Sequence, residues 1–333
     1  MSLQAGDSLD GGKYQIVRSL NEGRVGISYL AERKGRDRIV IKTLRDEVLA
    51  TLTPDQRHRL NNKLIEEAVR LARCHHPHIV RCFGSFLEQS RQAFIVMEFV
   101  AGDDLASLPQ KTLPEKEALT YIRQVGEALT AVHQEGFIHR DIKPANIMLR
   151  AGKSEAVLID FGVTKGFDET LTSIDSSNTD GFSPLELYDP SEQAQPYSDV
   201  YGLAATLYTL LSGTIPPNAE DRAKLPRRDQ TLPDIPGVSR ETNRAIGKGM
   251  EVDYEDRLQT VEAFLALLPI SKKAEPSPPP PSPDPNYRLN LLMFYAAIVA
   301  ILVTIIVGIF AQDIRRGIDN WFFSPGVEEN SEP

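Results

Sequence analysis

Short strand-like runs fill the first hundred positions, and runs with helical spacing take over after them. KYQIVRSL (13–20) and DRIVIKTL (37–44) read as strands, with GISYLAE (26–32) between them. At TPDQ (53–56) the pattern turns helical, with Thr53 as N-cap, Pro54 at the first helical position and Gln56 completing a capping box. The helix that follows carries an apolar stripe at Leu60, Leu64, Ala68 and Leu71. FIVMEFV (94–100) reads as strand again. From Glu115 to Glu135, Leu119, Ile122, Val125, Leu129 and Val132 recur at helical spacing until Gly136 ends the run. AVLID (156–160) is a further strand, and beyond about residue 198 the pattern is helical. Strands early and helices late predict an α+β fold of two lobes.

The pattern breaks after residue 269. SKKAEPSPPPPSPDPNYR (271–288) is too rich in proline to pack a core, so 270–288 reads as an extended, semi-rigid linker. LNLLMFYAAIVAILVTIIVGIF (289–310) carries no charge, and as a helix it would be roughly 33 Å long, close to the thickness of bilayer hydrocarbon. Behind a proline linker such a helix has no core to enter, so a transmembrane helix is expected. Residues 311–333 form a short polar tail, acidic at its end. Residues 1–12 are a polar, Gly-rich leader without the character of a signal peptide.

Composition narrows the classes. Hydrophobic content of 41% and charged content of 25% are those of an ordinary globular protein. A net charge of −9 argues against a broad nucleic-acid surface. Cys74 and Cys82 are the two cysteines, so no disulfide framework is implied and a reducing compartment fits. His75, His76 and His78 share one turn, but no partner motif follows at ligand spacing, so no metal site is expected there.

The richest chemistry lies in FIHRDIKPANIMLR (137–150). Arg140, Asp141, Lys143 and Asn146 sit between apolar flanks at Phe137, Ile138 and Ile147–Leu149. Phosphoryl transfer to a hydroxyl needs such a set: a carboxylate to orient the acceptor, a cation for the charged phosphoryl group, an amide oxygen for magnesium. HRDIKPAN (139–146), followed by DFG (160–162) after a strand, resembles the protein kinase family. The resemblance covers about residues 13–268. It implies a bilobal protein-kinase-like fold over 13–269, with a small mainly β lobe to about residue 100 and a larger mainly α lobe from about residue 101.

The resemblance also assigns roles. Asp141 orients the acceptor hydroxyl, Lys143 steadies the phosphoryl group, and Asn146 and Asp160 hold Mg2+ (or Mn2+). Lys42 of IVIK (39–42) meets the α- and β-phosphates of ATP. Glu67 holds that lysine; it shares the apolar face of its helix, whereas Glu66 points about 100° away. Met97 lies at the back of the adenine pocket, and the backbone of Glu98 and Val100 bonds adenine. Asp104 stands near the ribose, or else caps a helix. In LNEGRVGISYLAE (20–32) Gly23 and Gly26 keep the phosphate-covering loop, while Asn21 replaces its first glycine. Ser28 stands where a valine is usual and Val40 replaces an alanine, so these three departures bear on ATP affinity.

Residues 160–186 resemble an activation segment. Thr179 shapes the substrate-binding loop, Glu186 closes the segment and pairs with Arg257, and Asp199 braces the catalytic loop. Arg140 would clamp a phosphate on one of Thr170, Thr172, Ser173, Ser176 or Ser177. The expected function is therefore a Ser/Thr protein kinase that takes ATP and phosphorylates protein substrates, itself included. The competing classes are a pseudokinase-like nucleotide-binding membrane scaffold and a small-molecule phosphotransferase. KPAN and the kinase–linker–span layout look like bacterial membrane Ser/Thr kinases. They imply a single-pass membrane protein with a cytoplasmic kinase domain, whose span localises the domain or pairs two copies as a homodimer.

Overall fold

Six strands, each antiparallel to its neighbours, form one sheet. Their order is β1 (Ser8–Leu9), β2 (Tyr14–Glu22), β3 (Gly26–Arg33), β4 (Asp37–Leu44), β6 (Ala93–Glu98) and β5 (Cys82–Leu87). The computed structural model describes residues 3–23, 25–33, 37–88, 92–160, 181–189 and 191–269, without the side chain of Glu67. Period-two alternation gives the sheet two apolar faces. Ile27, Tyr29, Ile39, Ile41, Phe94 and Val96 pack on one face. On the other, Leu44, Ile95 and Met97 lie against Leu60, Leu64, Ala68 and Leu71 of the helix α2 (Pro54–Leu71), which follows a short α1 (Asp46–Thr51). Thr53 and Gln56 close the expected capping box reciprocally, at 2.9 and 3.3 Å. Two register shifts in β2, after Ile16 and after Ser19, are the irregularities that bend this edge of the sheet.

Several boundaries differ from the sequence reading, and the strand expected over 156–160 ends at Leu158. The sheet begins at Ser8 rather than 13: Leu9 is buried, and the Ile16 N–H donates to the Asp7 carbonyl at 2.8 Å. A two-residue strand is too short to display a period. The strand expected over 94–100 ends at Glu98, because Phe99 and Val100 begin the crossing to the second lobe.

That lobe is mainly helical: α3 (Glu115–Gln134), the hairpin β7 (Ile147–Leu149) and β8 (Ala156–Leu158), α4 (Pro196–Ser212), α5 (Ala219–Ala223), α6 (Arg240–Gly249) and α7 (Val261–Leu267). The α3 stripe of Leu119, Ile122, Val125 and Leu129 meets Leu203 and Leu207 of α4 and Phe264 of α7. Helix α4 is buried around most of its circumference, which makes it the central post of the lobe. The lobes are stitched together where Val80 N–H donates to the Leu158 carbonyl and Leu158 N–H to that of His78, each at 2.9 Å.

By its contacts the chain divides into two units, Met1–Ser277 and Pro278–Pro333. Among the described residues no helix is long and apolar enough to cross a membrane. The expected linker (270–288), span (289–310) and tail (311–333) lie outside the described residues.

Candidate active site

Between α3 and β7 the chain makes a loop whose backbone is held from behind. Arg140 adopts φ +68°, the left-handed region that a side chain disfavours. Buried Asp199, in the first turn of α4, stabilises this shape. Its Oδ1 accepts the Arg140 N–H and its Oδ2 the His139 N–H, each at 2.8 Å, while His133 Nε2 of α3 lies 2.8 Å from the same Oδ2. The His139 ring is buried, and its Nδ1 accepts the Asp141 N–H at 3.3 Å. Burial pushes the pKa of this imidazole down to about 4, against the opposing pull of the Asp199, Asp141 and Asp160 carboxylates. The ring is thus neutral and free to act as acceptor at Nδ1.

This frame presents Asp141, Lys143 and Asn146 together. Lys143 Nζ lies 3.2 Å from Asp141 Oδ2. Asn146, buried in a 3-10 turn at Pro144–Asn146, donates its side-chain N–H to the Asp141 carbonyl at 2.7 Å and to Asp141 Oδ2 at 2.8 Å. Its main-chain carbonyl accepts the Ile159 N–H at 3.0 Å, which brings Asp160 beside it. From the other lobe Lys42 of β4 forms an ion pair with Asp160 Oδ1. Lys42 alternates with the inward Ile41, so it shares the face of Val40 and Leu44, toward α2 and the cleft. The residues that meet here are hard oxygen donors with one lysine on each side. Asp160, Asn146 and Asp141 suit a divalent cation that carries phosphate, and the lysines suit the phosphate itself.

The Protein kinase domain family model matches residues 14–265. The chain belongs to the protein kinase family. Among its relatives, the serine/threonine-protein kinase PknE of Mycobacterium bovis is 34% identical over 264 residues, which cover 75% of this chain and 44% of that protein. The serine/threonine-protein kinase pkn2 of Myxococcus xanthus is 31% identical over 213 residues, 62% of this chain and 25% of that one. The chain thus spans less than half the length of either relative. A solved structure titled PpkA-294 apo form superposes with a TM-score of 0.66 at 27% identity, covering 80% of this chain and 99% of that one. The kinase domain of Mycobacterium tuberculosis PknI has the same fold, with a TM-score of 0.60.

In this kinase domain the other expected residues fall as follows. Asn21 pairs with Ser28 across β2 and β3, and Ser28 with Lys42 across β3 and β4, so the three share one register line. Gly23 N–H donates to the Gly26 carbonyl at 2.9 Å, closing the turn between β2 and β3. A Cβ on Gly26 would stand 3.2 Å from the Thr43 carbonyl oxygen and 3.7 Å from Lys42 Cε, so glycine lets this turn lie close over the lysine. Met97 is buried beside half-buried Val40, and Val100 is buried at the crossing. Glu98 commits its N–H to the Arg81 carbonyl at 2.8 Å. Asp104 closes its own turn rather than a helix: Oδ1 accepts the N–H groups of Ala106 and Ser107 at 2.9 Å, and Oδ2 the Ser107 hydroxyl at 2.7 Å.

Helix α2 holds Glu67, whose side chain lies outside the described residues. Its neighbour Glu66 is exposed and lies 3.9 Å from Arg70. Glu186 and Arg257 form a buried two-pronged pair, at 2.6 and 3.2 Å. Thr179, Phe161, Gly162 and the hydroxyls at 170–177 lie outside the described residues. Sequence reasoning missed His133, the second brace on Asp199. It lies one position beyond Val132, the last residue of the α3 stripe, where a histidine reads as surface. It also missed Arg150, which reaches Glu98 from the other lobe and has no local signal at all.

Proposed function

We propose that this chain is a Ser/Thr protein kinase that transfers the γ-phosphate of ATP to Ser and Thr hydroxyls of proteins, its own included. The observation that carries the reading is the meeting of Asp141, Lys143 and Asn146 with the Lys42–Asp160 pair. Asp141 Oδ2 takes a hydrogen bond from Asn146 and forms an ion pair with Lys143, and an acceptor hydroxyl would add its own bond to this carboxylate. Lys143 lies within reach of charge that develops on the transferred phosphoryl group. Asp160 and the side-chain carbonyl oxygen of Asn146 would hold Mg2+ (or Mn2+), which when bound neutralises phosphate charge. Lys42 would exchange part of its contact with Asp160 for the α- and β-phosphates, and Glu67 is the residue assigned to orient it.

Adenine would lie against Met97 and Val40. With the Glu98 N–H already committed, its carbonyl and the Val100 backbone remain for adenine. Asn21, Gly23, Gly26 and Ser28 would cover the phosphates, and Asp104 would turn toward the ribose at the expense of its turn. Lys143, with the names of the two relatives, supports Ser/Thr specificity. Thr179 and the hydroxyls before it would shape and regulate the substrate loop. Arg140 Nε is buried with no hydrogen-bond partner among the described residues, which fits a clamp for a phosphate there. The remaining assignment is a single-pass membrane anchor at 289–310 with the kinase domain on the cytoplasmic side, where ATP is found.

The test is radiolabel transfer from ATP by residues 1–277. Asp141→Asn is expected to lower incorporation on the order of 10²–10⁴-fold while the protein still binds nucleotide. Undiminished incorporation by the variant would remove Asp141 from the chemistry.

A further inference from the structure

Glu98 ends β6 and Arg150 follows β7, so an ion pair between them spans the two lobes beside the segment that joins them. Arg150 Nη1 donates to Glu98 Oε1 at 2.5 Å, with the side chains 26% and 25% exposed. The Arg150 N–H donates to the Glu155 carbonyl at 3.0 Å, and its Nε lies 3.7 Å from Glu155 Oε2, so the β7–β8 hairpin backs the guanidinium. Glu98 is also tied to its own lobe. Besides its N–H bond to the Arg81 carbonyl, its Oε2 accepts the Arg81 N–H at 3.4 Å.

On the far side of the crossing the backbone is stitched to β7. Ala151 N–H donates to the Ala101 carbonyl at 2.7 Å, Leu149 N–H to that of Asp103 at 2.8 Å, and Leu105 N–H to that of Ile147 at 2.9 Å. Gly102 has φ +141°, and a Cβ on it would lie 1.8 Å from the Leu149 carbonyl oxygen, so the backbones touch here. Phe99 and Val100 therefore lie between two fixed ends, one made by the ion pair and the other by this stitching.

We propose that Glu98 and Arg150 are positioning residues for the nucleotide: their ion pair fixes the crossing so that the Glu98 carbonyl and the Val100 backbone hold adenine. This rests on the kinase reading above. A charge-assisted bond of this length is among the stronger polar contacts. Without it the crossing gains torsional freedom at 98–100, and ATP binding must then restore the order. Adenine is remote from the reacting phosphate, so its contacts stabilise ground and transition states equally. Their loss raises KM for ATP and leaves kcat in place.

The test compares full-length protein in detergent with its Arg150→Met variant, by steady-state kinetics and by direct titration with a fluorescent ATP analogue. KM for ATP and Kd for the analogue are expected to rise about tenfold, with kcat and KM for a peptide acceptor within about twofold. The exchange Glu98→Arg with Arg150→Glu is expected to restore most of the loss, because it rebuilds the pair with reversed sign. Arg150→Lys, which keeps the charge, should fall between, and it stands in for Arg150→Met if that variant fails to melt cooperatively. Unchanged KM and Kd in folded Arg150→Met, or a loss spread over kcat and both KM values that the exchange does not restore, would overturn the inference. Wild-type protein that binds the analogue but transfers no phosphate would remove the kinase reading alone, and the Kd comparison would still decide the role of Arg150. Wild-type protein that binds no analogue would overturn both.

Discussion

A single carboxylate, Asp199, decides the conformation of the loop that carries the chemistry. It accepts two successive backbone N–H groups, at His139 and Arg140, and so holds Arg140 in a left-handed shape that the residue would otherwise leave. The buried His139 ring depends on staying neutral, since a proton on Nδ1 would abolish its bond from the Asp141 N–H. Burial lowers its pKa from 6.5 to about 4. The unfolded chain therefore takes up the proton first as pH falls. The stability that the neutral ring contributes is full above about pH 6.5 and is lost progressively toward pH 4. For one histidine shifted this far the loss at pH 5 is about 2 kcal/mol. His76, also pushed down to about 4 by burial and by its neighbour His78, adds in the same direction. Thermal melts of residues 1–277 should fall steadily from pH 7 to pH 5, and His139→Gln should flatten that slope. A slope untouched by the substitution would place the acid sensitivity elsewhere.

At the scale of elements, the 3-10 turn Leu185–Leu187 is locked to the loop after α6 by Glu186 and Arg257. Both side chains are buried, and Ser198 Oγ donates to the same carboxylate at 2.8 Å. Arg257 also donates to the carbonyls of Glu251 and Val252, at 2.9 and 3.2 Å, and its guanidinium stacks 5.1 Å from the Tyr201 ring. Arg257→Ala would leave a buried carboxylate with its cation removed, at a cost of about 3–5 kcal/mol. Denaturant melts check this, with Glu186→Gln combined with Arg257→Met expected to lose less than Arg257→Ala alone. Equal losses would mean that packing, rather than the stranded charge, sets the cost. Helices α2 and α3 were legible in the sequence because an apolar stripe and a capping box are local signals. The Glu186–Arg257 pair is not local, since 71 positions separate its members, and only the family resemblance brought them together. Strand β1 is too short to show a period. Helix α1 buries none of its residues and has no side-chain cap, so it leaves no stripe to read. The Glu98–Arg150 pair depends on how the two lobes meet, which no periodicity encodes.

At the scale of the whole molecule, the kinase domain ends where Arg123 of α3 donates to the carbonyls of Leu268 and Pro269, at 3.1 and 2.6 Å. The chain thus leaves the domain from a fixed point, into the proline-rich segment and then the charge-free run at 289–310. A charge-free, mostly apolar run of 22 residues behind a stretch that cannot pack is expected to enter a bilayer. Full-length protein should therefore sediment with membranes and resist extraction by carbonate, while residues 1–277 stay in the supernatant. Orientation needs a separate argument. Lys272, Lys273 and Arg288 before the span outnumber Arg315 and Arg316 after it, a bias toward a cytoplasmic N-terminal side that is thin by itself. The proposed kinase reading favours the same side, because ATP is cytosolic. On that proposal the tail at 311–333 would cross the membrane, with Trp321, Phe322 and Phe323 expected at the far interface. With Cys74 and Cys82 replaced by alanine and Asn330→Cys as the one thiol, a membrane-impermeant maleimide should label intact cells from outside. Protection of that thiol, together with a kinase domain open to external protease, would show the reverse orientation and end the model.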